Sequence, residues 1–123
     1  MADDVPPPPT AHRWYTRPVF FVADVERAER FYLDMLGFRR DWPADSEVWT
    51  VRQVSHGECE IILCQDTRSD RARLFIELTA EAFADLHREF TERGVPVRET
   101  WWGYDCMEVL DPDGNALLFP KSD

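Results

Sequence analysis

The stretch Pro18–Phe38, PVFFVADVERAERFYLDMLGF, holds a strand, a capped helix and a stop in one short run. Val19, Phe20, Phe21 and Val22 are β-branched or aromatic, and the run has strand length. Asp24 follows, and its carboxylate can accept from the orphan amides of a helix start. Glu26 adds negative charge where the helix dipole favours it. Val25, Ala28, Phe31, Tyr32, Met35 and Leu36 recur at three- and four-residue spacing, which places them on one helix face. On this reading Glu29, Arg30 and Asp34 turn outward. Gly37 supplies the left-handed stop.

The same plan returns from Leu74 to Val97. Leu74–Leu78 reads as a strand and Thr79 as an N-cap. Ala82, Phe83, Leu86 and Phe90 form the stripe of a second helix that stops at Gly94. Each helix is followed by shorter β-type runs. These are Phe38–Trp42, Val48–Val54 and Glu58–Cys64 in the first half, and Pro96–Trp101, Tyr104–Leu110 and Ala116–Pro120 in the second. Each half is therefore a βαβββ module, and the class is α+β. Ser55-His56-Gly57 and Asp111-Pro112-Asp113-Gly114-Asn115 carry turn chemistry between antiparallel neighbours.

The chain has 123 residues, enough for one domain of two intimate halves. Residues 15–123 are expected to form it, with modules 15–66 and 71–123. Residues 1–14, which include Val5-Pro-Pro-Pro-Pro9, are expected to be a disordered or polyproline arm. The hydrophobic share of 44% suffices for a core without disulfides or a structural metal. Three cysteines cannot all pair and lack zinc spacing, which predicts reduced thiols in a cytoplasmic protein. No apolar run approaches the ~20 residues that span a bilayer, and no basic-then-apolar leader pattern opens the sequence. The net charge of −10 argues against nucleic acid and anionic membranes as partners and fits a neutral or cationic one.

Five motifs stand in order along the chain: Pro18-Val-Phe-Phe-Val-Ala-Asp24, Phe31-Tyr-Leu-Asp-Met-Leu-Gly-Phe38, Glu92-Arg-Gly-Val-Pro96, Trp102-Gly103 and Asp111-Pro-Asp-Gly-Asn115. Together they resemble the vicinal oxygen chelate superfamily, the glyoxalase/bleomycin resistance protein/dioxygenase family, and most of all its short acidic bleomycin-resistance-like branch. The resemblance implies a cupped mixed sheet with helices outside and a ligand cleft within. It also implies a homodimer with the cleft at or near the subunit interface.

Metalloenzymes of that superfamily place four metal ligands on the first and last strands of each half. Carried over from the matched motifs, those positions fall on Arg17, Ile62, Arg73 and Leu118. None is a metal ligand, since zinc, iron or manganese takes His, Glu, Asp or Cys. His12 in the arm, His56 in a turn and His87 on the outer face of the second helix do not replace them. The expectation is no metal and no cofactor.

Strand alternation gives the inward set. Arg17, Val19 and Phe21 face the cleft, with Glu60, Ile62 and Cys64 from the fourth strand. The second half adds Arg73, Phe75 and Glu77, then Tyr104, Cys106 and Glu108, then Ala116 and Leu118. Phe20, Val22, Leu74, Ile76, Leu78, Met107 and Val109 meet the helices. Arg17 and Arg73 either pair with Glu60, Glu77 or Glu108, because unpaired buried charge is costly, or wait for a ligand. Trp42, Trp49, Trp101 and Trp102 either stack on a ligand or plug the core or a dimer seam. Cys64 and Cys106 have arginines nearby that favour a thiolate, but no histidine base is placed beside them.

The expected function is metal-free binding of a small aromatic or cationic compound in a dimer cleft. Its candidate ligand-binding residues are Arg17, Phe21, Trp49, Glu60, Ile62, Cys64, Arg73, Phe75, Trp102, Cys106, Glu108 and Leu118. No catalytic residue is assigned. The alternatives are a metal-dependent lyase, isomerase or dioxygenase of the glyoxalase kind, and a non-catalytic assembly protein.

Overall fold

The structure, a computed structural model, describes residues 14–44, 49–68, 70–103 and 105–121. The arm up to residue 13, His12, Val48 and Tyr104 lie outside the described residues.

The opening stretch folds as its pattern dictates. β1 (Val19–Val22) buries Phe20 and Val22 and leaves Val19 half exposed, so one face meets a helix and the other does not. Asp24 caps α1 (Val25–Arg30) by accepting from the Glu26 and Arg27 amides at 3.0 and 3.1 Å. The helix continues through Phe31–Met35 as a widened turn, closed by the Leu36 amide on the Phe31 carbonyl at 3.3 Å. Gly37 then takes φ +79°, and an added Cβ would lie 3.1 Å from the Arg93 guanidinium. The positive φ is what requires glycine there.

Three further strands complete the first half: β2 (Arg39–Trp42), β3 (Val51–His56) and β4 (Cys59–Gln65). The second half repeats the order with β5 (Arg73–Phe75), α2 (Ala80–Glu92, capped by Thr79), β6 (Arg98–Trp101), β7 (Asp105–Leu110) and β8 (Ala116–Pro120). The fold is α+β, with two βαβββ modules. The sheets run β1-β4-β3-β2 and β5-β8-β7-β6, each with one parallel pair at the edge and antiparallel pairs elsewhere. Val19 pairs with Ile62 and Phe75 with Leu118, so both parallel pairs have the same separation along the chain. One core draws on both modules, with Phe20, Ala28, Tyr32 and Leu63 from the first and Phe90, Met107, Val109, Leu117 and Phe119 from the second. Each such large apolar side chain contributes about 1.5–3 kcal/mol on burial.

Several boundaries differ from the expected ones. β3 extends to His56, and the turn is Gly57-Glu58 rather than Ser55-His56-Gly57. Gly57 takes the positive φ of 61° that this two-residue hairpin needs, which moves β4 one residue onward. β5 is three residues long against an expected five, although the Ile76 amide still bonds the Leu118 carbonyl at 2.8 Å. β6 begins at Arg98, after Pro96, which has no amide for a ladder.

The modules are clasped by the Asp111–Asn115 turn. Asp111 Oδ1 accepts from the Asp113 and Asn115 amides, both at 2.9 Å. Its Oδ2 accepts from Asn115 Nδ2 at 3.0 Å and from the buried Tyr32 hydroxyl of α1's extension at 2.9 Å. Fully buried Asn115 also donates to the Phe21 carbonyl of β1 and accepts from the Ala72 amide ahead of β5. Gly114 lets the turn close with φ +87°, where an added Cβ would meet Arg71 at 3.0 Å. Burial pushes the Asp111 carboxyl up, and its hydrogen bonds only partly counter this. Burial, and then the charge and hydrogen bond of Asp111, hold the Tyr32 phenol well above its ordinary range, so it stays a donor.

Glu29 does not turn outward. It is only 4% exposed and accepts from Arg40 of β2 and, at 2.8 Å, from Arg52 of β3. The helix therefore buries an acid on its sheet-facing side because two arginines from that sheet reach it. Burial alone would raise the Glu29 carboxyl, but the hydrogen bonds and charges of Arg40 and Arg52 outweigh it and leave it below its ordinary 4.5.

Asn115→Ala strands the Ala72 amide and opens the joint, and should cost about 3 kcal/mol or more in urea unfolding, whereas Tyr32→Phe removes one bond and should cost about 1–3 kcal/mol. The Glu29 carboxyl is depressed on folding, so its stabilisation is present above its unfolded value of 4.5 and lost as pH falls through the folded value. Stability measured from about pH 5 down to about pH 3 should fall less steeply in Glu29→Gln than in the parent.

Candidate functional site

Each sheet has one face without a helix, and the expected cleft residues are arranged by that face. In the first module Val19, Glu60 and Ile62 are joined on it by Gln53 and Ser55, which pair with Ile62 and Glu60 from β3. Arg17 precedes Val19 by two residues, in the same phase. Its Nη1 donates to Gln53 Oε1 at 2.8 Å, and its guanidinium lies 5.9 Å from the Tyr15 ring centroid. Gln53 Nε2 in turn donates to Asp41 Oδ2 at 2.9 Å, and Ser55 Oγ to Asp41 Oδ1 at 2.8 Å. Arg39 ends the chain, 3.6 Å from Asp41. A polar relay thus crosses the face from Arg17 to Arg39.

Gln53, Asp41, Ser55 and Arg39 were not among the expected site residues. The signal was present in β3, where Gln53 and Ser55 alternate in phase with Ile62 and Glu60.

Of the two alternatives for Arg17 and Arg73, pairing with a carboxylate does not occur among the described residues. Arg17 is held by Gln53 instead, and Arg73 is exposed on an edge strand. Glu108 is taken by Arg98, whose Nη2 lies 2.6 Å from Glu108 Oε1 as an ion pair without hydrogen-bond alignment. Glu60 Oε1 is enclosed and has no hydrogen-bond partner.

On the second module Phe75 and Trp102 are both half exposed and stack edge to face, with centroids 5.6 Å apart. Leu110 is also half exposed. Cys106, Glu108 and Leu118 are enclosed, and Cys106 packs with Ala116 and Leu118. These three expected ligand residues are thus buried within the second module. Phe21 carries the Arg68 guanidinium over its ring at 4.6 Å. Cys64 is partly exposed beside it on β4, and Trp49 is half exposed ahead of β3.

Two of the thiols, Cys59 and Cys106, are made poor nucleophiles by their environment. Burial pushes Cys59 up to about 11. Burial, then the negative charges of Asp105 and Glu77, push Cys106 up, against the thiolate that nearby arginines were expected to favour. The four inferred metal positions carry two guanidiniums and two hydrocarbon side chains, which cannot ligate a metal ion. Elsewhere, no three of His, Cys, Asp and Glu gather in metal-binding geometry among the described residues. A resident metal does not fit this donor set.

A cavity of about 490 Å³ lies between α2 and the β6–β7 edge on the helix side of the sheet. It touches only Cys106 of the expected site residues. A second cavity, about 260 Å³, opens at the seam between modules and is lined by Thr16, Pro18, Glu60, Leu74, Phe75 and Ile76. It brings Glu60 and Phe75 together from different halves. No helix of the described residues is long and apolar enough to cross a membrane.

Comparison with solved structures finds the same fold repeatedly. The bleomycin-binding protein of Streptomyces verticillus, solved with copper(II)-bleomycin, is 25% identical with a TM-score of 0.68, over 88% of this chain and 95% of that one. A glyoxalase/bleomycin resistance protein/dioxygenase from Alicyclobacillus acidocaldarius is 18% identical with a TM-score of 0.69, over 85% and 87%. A lactoylglutathione lyase from Agrobacterium tumefaciens is 17% identical with a TM-score of 0.66, over 86% and 91%. Among curated proteins none matches in sequence. The family model described as glyoxalase superfamily protein matches residues 13–123, and with two βαβββ modules in place the chain belongs to the glyoxalase superfamily.

Proposed function

We propose that this protein binds a small aromatic or cationic compound on the helix-free faces of its sheets, without a metal, as a homodimer. The observation that carries this reading is the donor set. Where metalloenzyme relatives place ligands, this chain has Arg17, Ile62, Arg73 and Leu118. A guanidinium repels a metal ion but can orient polar ligand groups.

The exposed surface supports the rest. Val19, Trp49, Phe75, Trp102 and Leu110 are each about half exposed, and strand alternation puts Val19, Phe75 and Leu110 on the helix-free faces. A second copy of the chain laid over them would cover apolar area and leave the ring faces as walls of a cleft. Aromatic walls suit planar or cationic guests, at about 0.5–2 kcal/mol per ring. A relative of the same fold, the bleomycin-binding protein of Streptomyces verticillus, was solved with copper(II)-bleomycin, which supports a small-molecule cleft. The polar relay from Arg17 to Arg39 keeps one wall ordered and hydrogen-bonded.

The test joins three measurements. Sedimentation should give twice the chain mass of 14.5 kDa. Elemental analysis after dialysis should find no stoichiometric transition metal. Bleomycin or acridine orange should quench tryptophan fluorescence saturably, and Trp102→Ala should weaken that binding roughly tenfold. One retained metal per chain, or turnover of the methylglyoxal–glutathione hemithioacetal on adding nickel or zinc, would overturn the reading in favour of a metal-dependent lyase.

A further inference from the structure

Three carboxylate oxygens are enclosed without a hydrogen-bond partner: those of Glu60, Glu108 and Asp113. Two belong to carboxylates that an arginine already neutralises. Arg98 lies 2.6 Å from Glu108, and Arg27 lies 3.3 Å from Asp113. Glu60 is different, because no cation of the described residues stands within 4.0 Å of it. Its neighbour across the parallel ladder would be Arg17, two residues ahead of the Val19–Ile62 pair. That guanidinium is drawn away to Gln53 and to the Tyr15 ring. Glu60 is partly buried, with one carboxylate oxygen enclosed and unpartnered; an enclosed oxygen without a partner is costly, and a cation at the side chain's open part would offset its charge.

The cavity at the seam is where one can enter. Glu60 lines it, with Glu58 beside it and Pro18, Leu74 and Ile76 as apolar walls. At about 260 Å³ it falls below the ~300–1,000 Å³ of sites that enclose drug-sized ligands. It takes a head group rather than a whole ligand. Phe75 forms part of the same wall and also stacks on Trp102, so the cavity runs on to an exposed aromatic surface.

We infer that the compound bound by this protein carries a protonated amine or guanidinium that enters the seam and pairs with Glu60, while its planar body lies along Phe75 and Trp102. This rests on the binding function proposed above and narrows it from aromatic or cationic to both at once, in a fixed order. The ammonium pairs with the Glu60 carboxylate where that side chain lines the cavity, the ring wall excludes water around the pair, and Arg17 stays on Gln53.

The test compares benzylamine with benzyl alcohol, which has the same ring and no charge, by tryptophan fluorescence and by NMR shift changes. The intact protein should prefer benzylamine by about tenfold or more, the scale of a charge-assisted hydrogen bond. Glu60→Gln should abolish the preference without lowering the melting temperature, and Trp102→Ala should weaken both compounds alike. Equal affinity for the two compounds, binding of neither, or a preference that survives Glu60→Gln would overturn the proposal. So would a loss of stability in Glu60→Gln that Arg17→Gln matches and does not add to, since Glu60 would then serve Arg17. If bleomycin or acridine orange still binds while benzylamine shows no preference, the head-group assignment fails and the binding function stands. If no probe binds and the chain is monomeric, both fall.

Discussion

The joint between the modules depends on one buried carboxylate. Asp111 gathers four donors, two from backbone amides of its own turn, one from the Asn115 amide group and one from Tyr32. The shared core holds the two halves together, and this contact adds a directional, hydrogen-bonded fix to their relation. Asn115 converts the turn into a clasp by reaching the backbone of β1 at Phe21 and the approach to β5 at Ala72. Backbone groups are the right targets, because they cannot swing aside as side chains do. An ionised acid in a mostly apolar joint persists only because its lone pairs are filled from several directions.

The clasp also explains where the seam is open. It holds Phe21 near Ala72, at one end of the facing edge strands. The cavity lies among Thr16, Pro18, Leu74, Phe75 and Ile76, where residue numbers have fallen along one edge and risen along the other. The edges therefore run in opposite directions, pinned at one end and parted at the other. No ladder bonds join them, since the two sheets are separate. A gap there needs no strain. It needs only that Pro18 offers no amide and that the walls are apolar.

Much of this was legible in the sequence, and the reason is locality. Capping by Asp24 and Thr79, the stop at Gly37 and the split of Phe20 and Val22 from Val19 all depend on residues within a few positions of each other. Glu29 shows where that reasoning ends. On a helix wheel an acid beside Arg30 reads as solvated, and only the fold brings Arg40 and Arg52 to it. The contacts of Arg17 show the same limit. Register does put Arg17 beside Glu60, but an arginine stem is long enough to cross β4, and Gln53 on β3 offered an acceptor. Alternation predicts which face a side chain leaves from and not how far along that face it travels.

The internal repeat makes the two faces comparable, and they have diverged. Arg17 and Arg73 stand at the same distance ahead of matched parallel pairs, as do Ile62 and Leu118 within them. Beyond those pairs the first module has a hydrogen-bonded relay of Gln53, Asp41 and Ser55, whereas the second has packed Cys106, Ala116 and Leu118 beneath half-exposed rings. A metal would need converging donors from both halves. Here one half presents polar groups already bonded to each other and the other presents hydrocarbon and aromatic faces. That division suits a guest with one polar end and one flat end. On the proposed binding function it would also set the guest's direction, because Glu60 has one enclosed oxygen and no arginine of the described residues beside it, and Phe75 lines the same cavity.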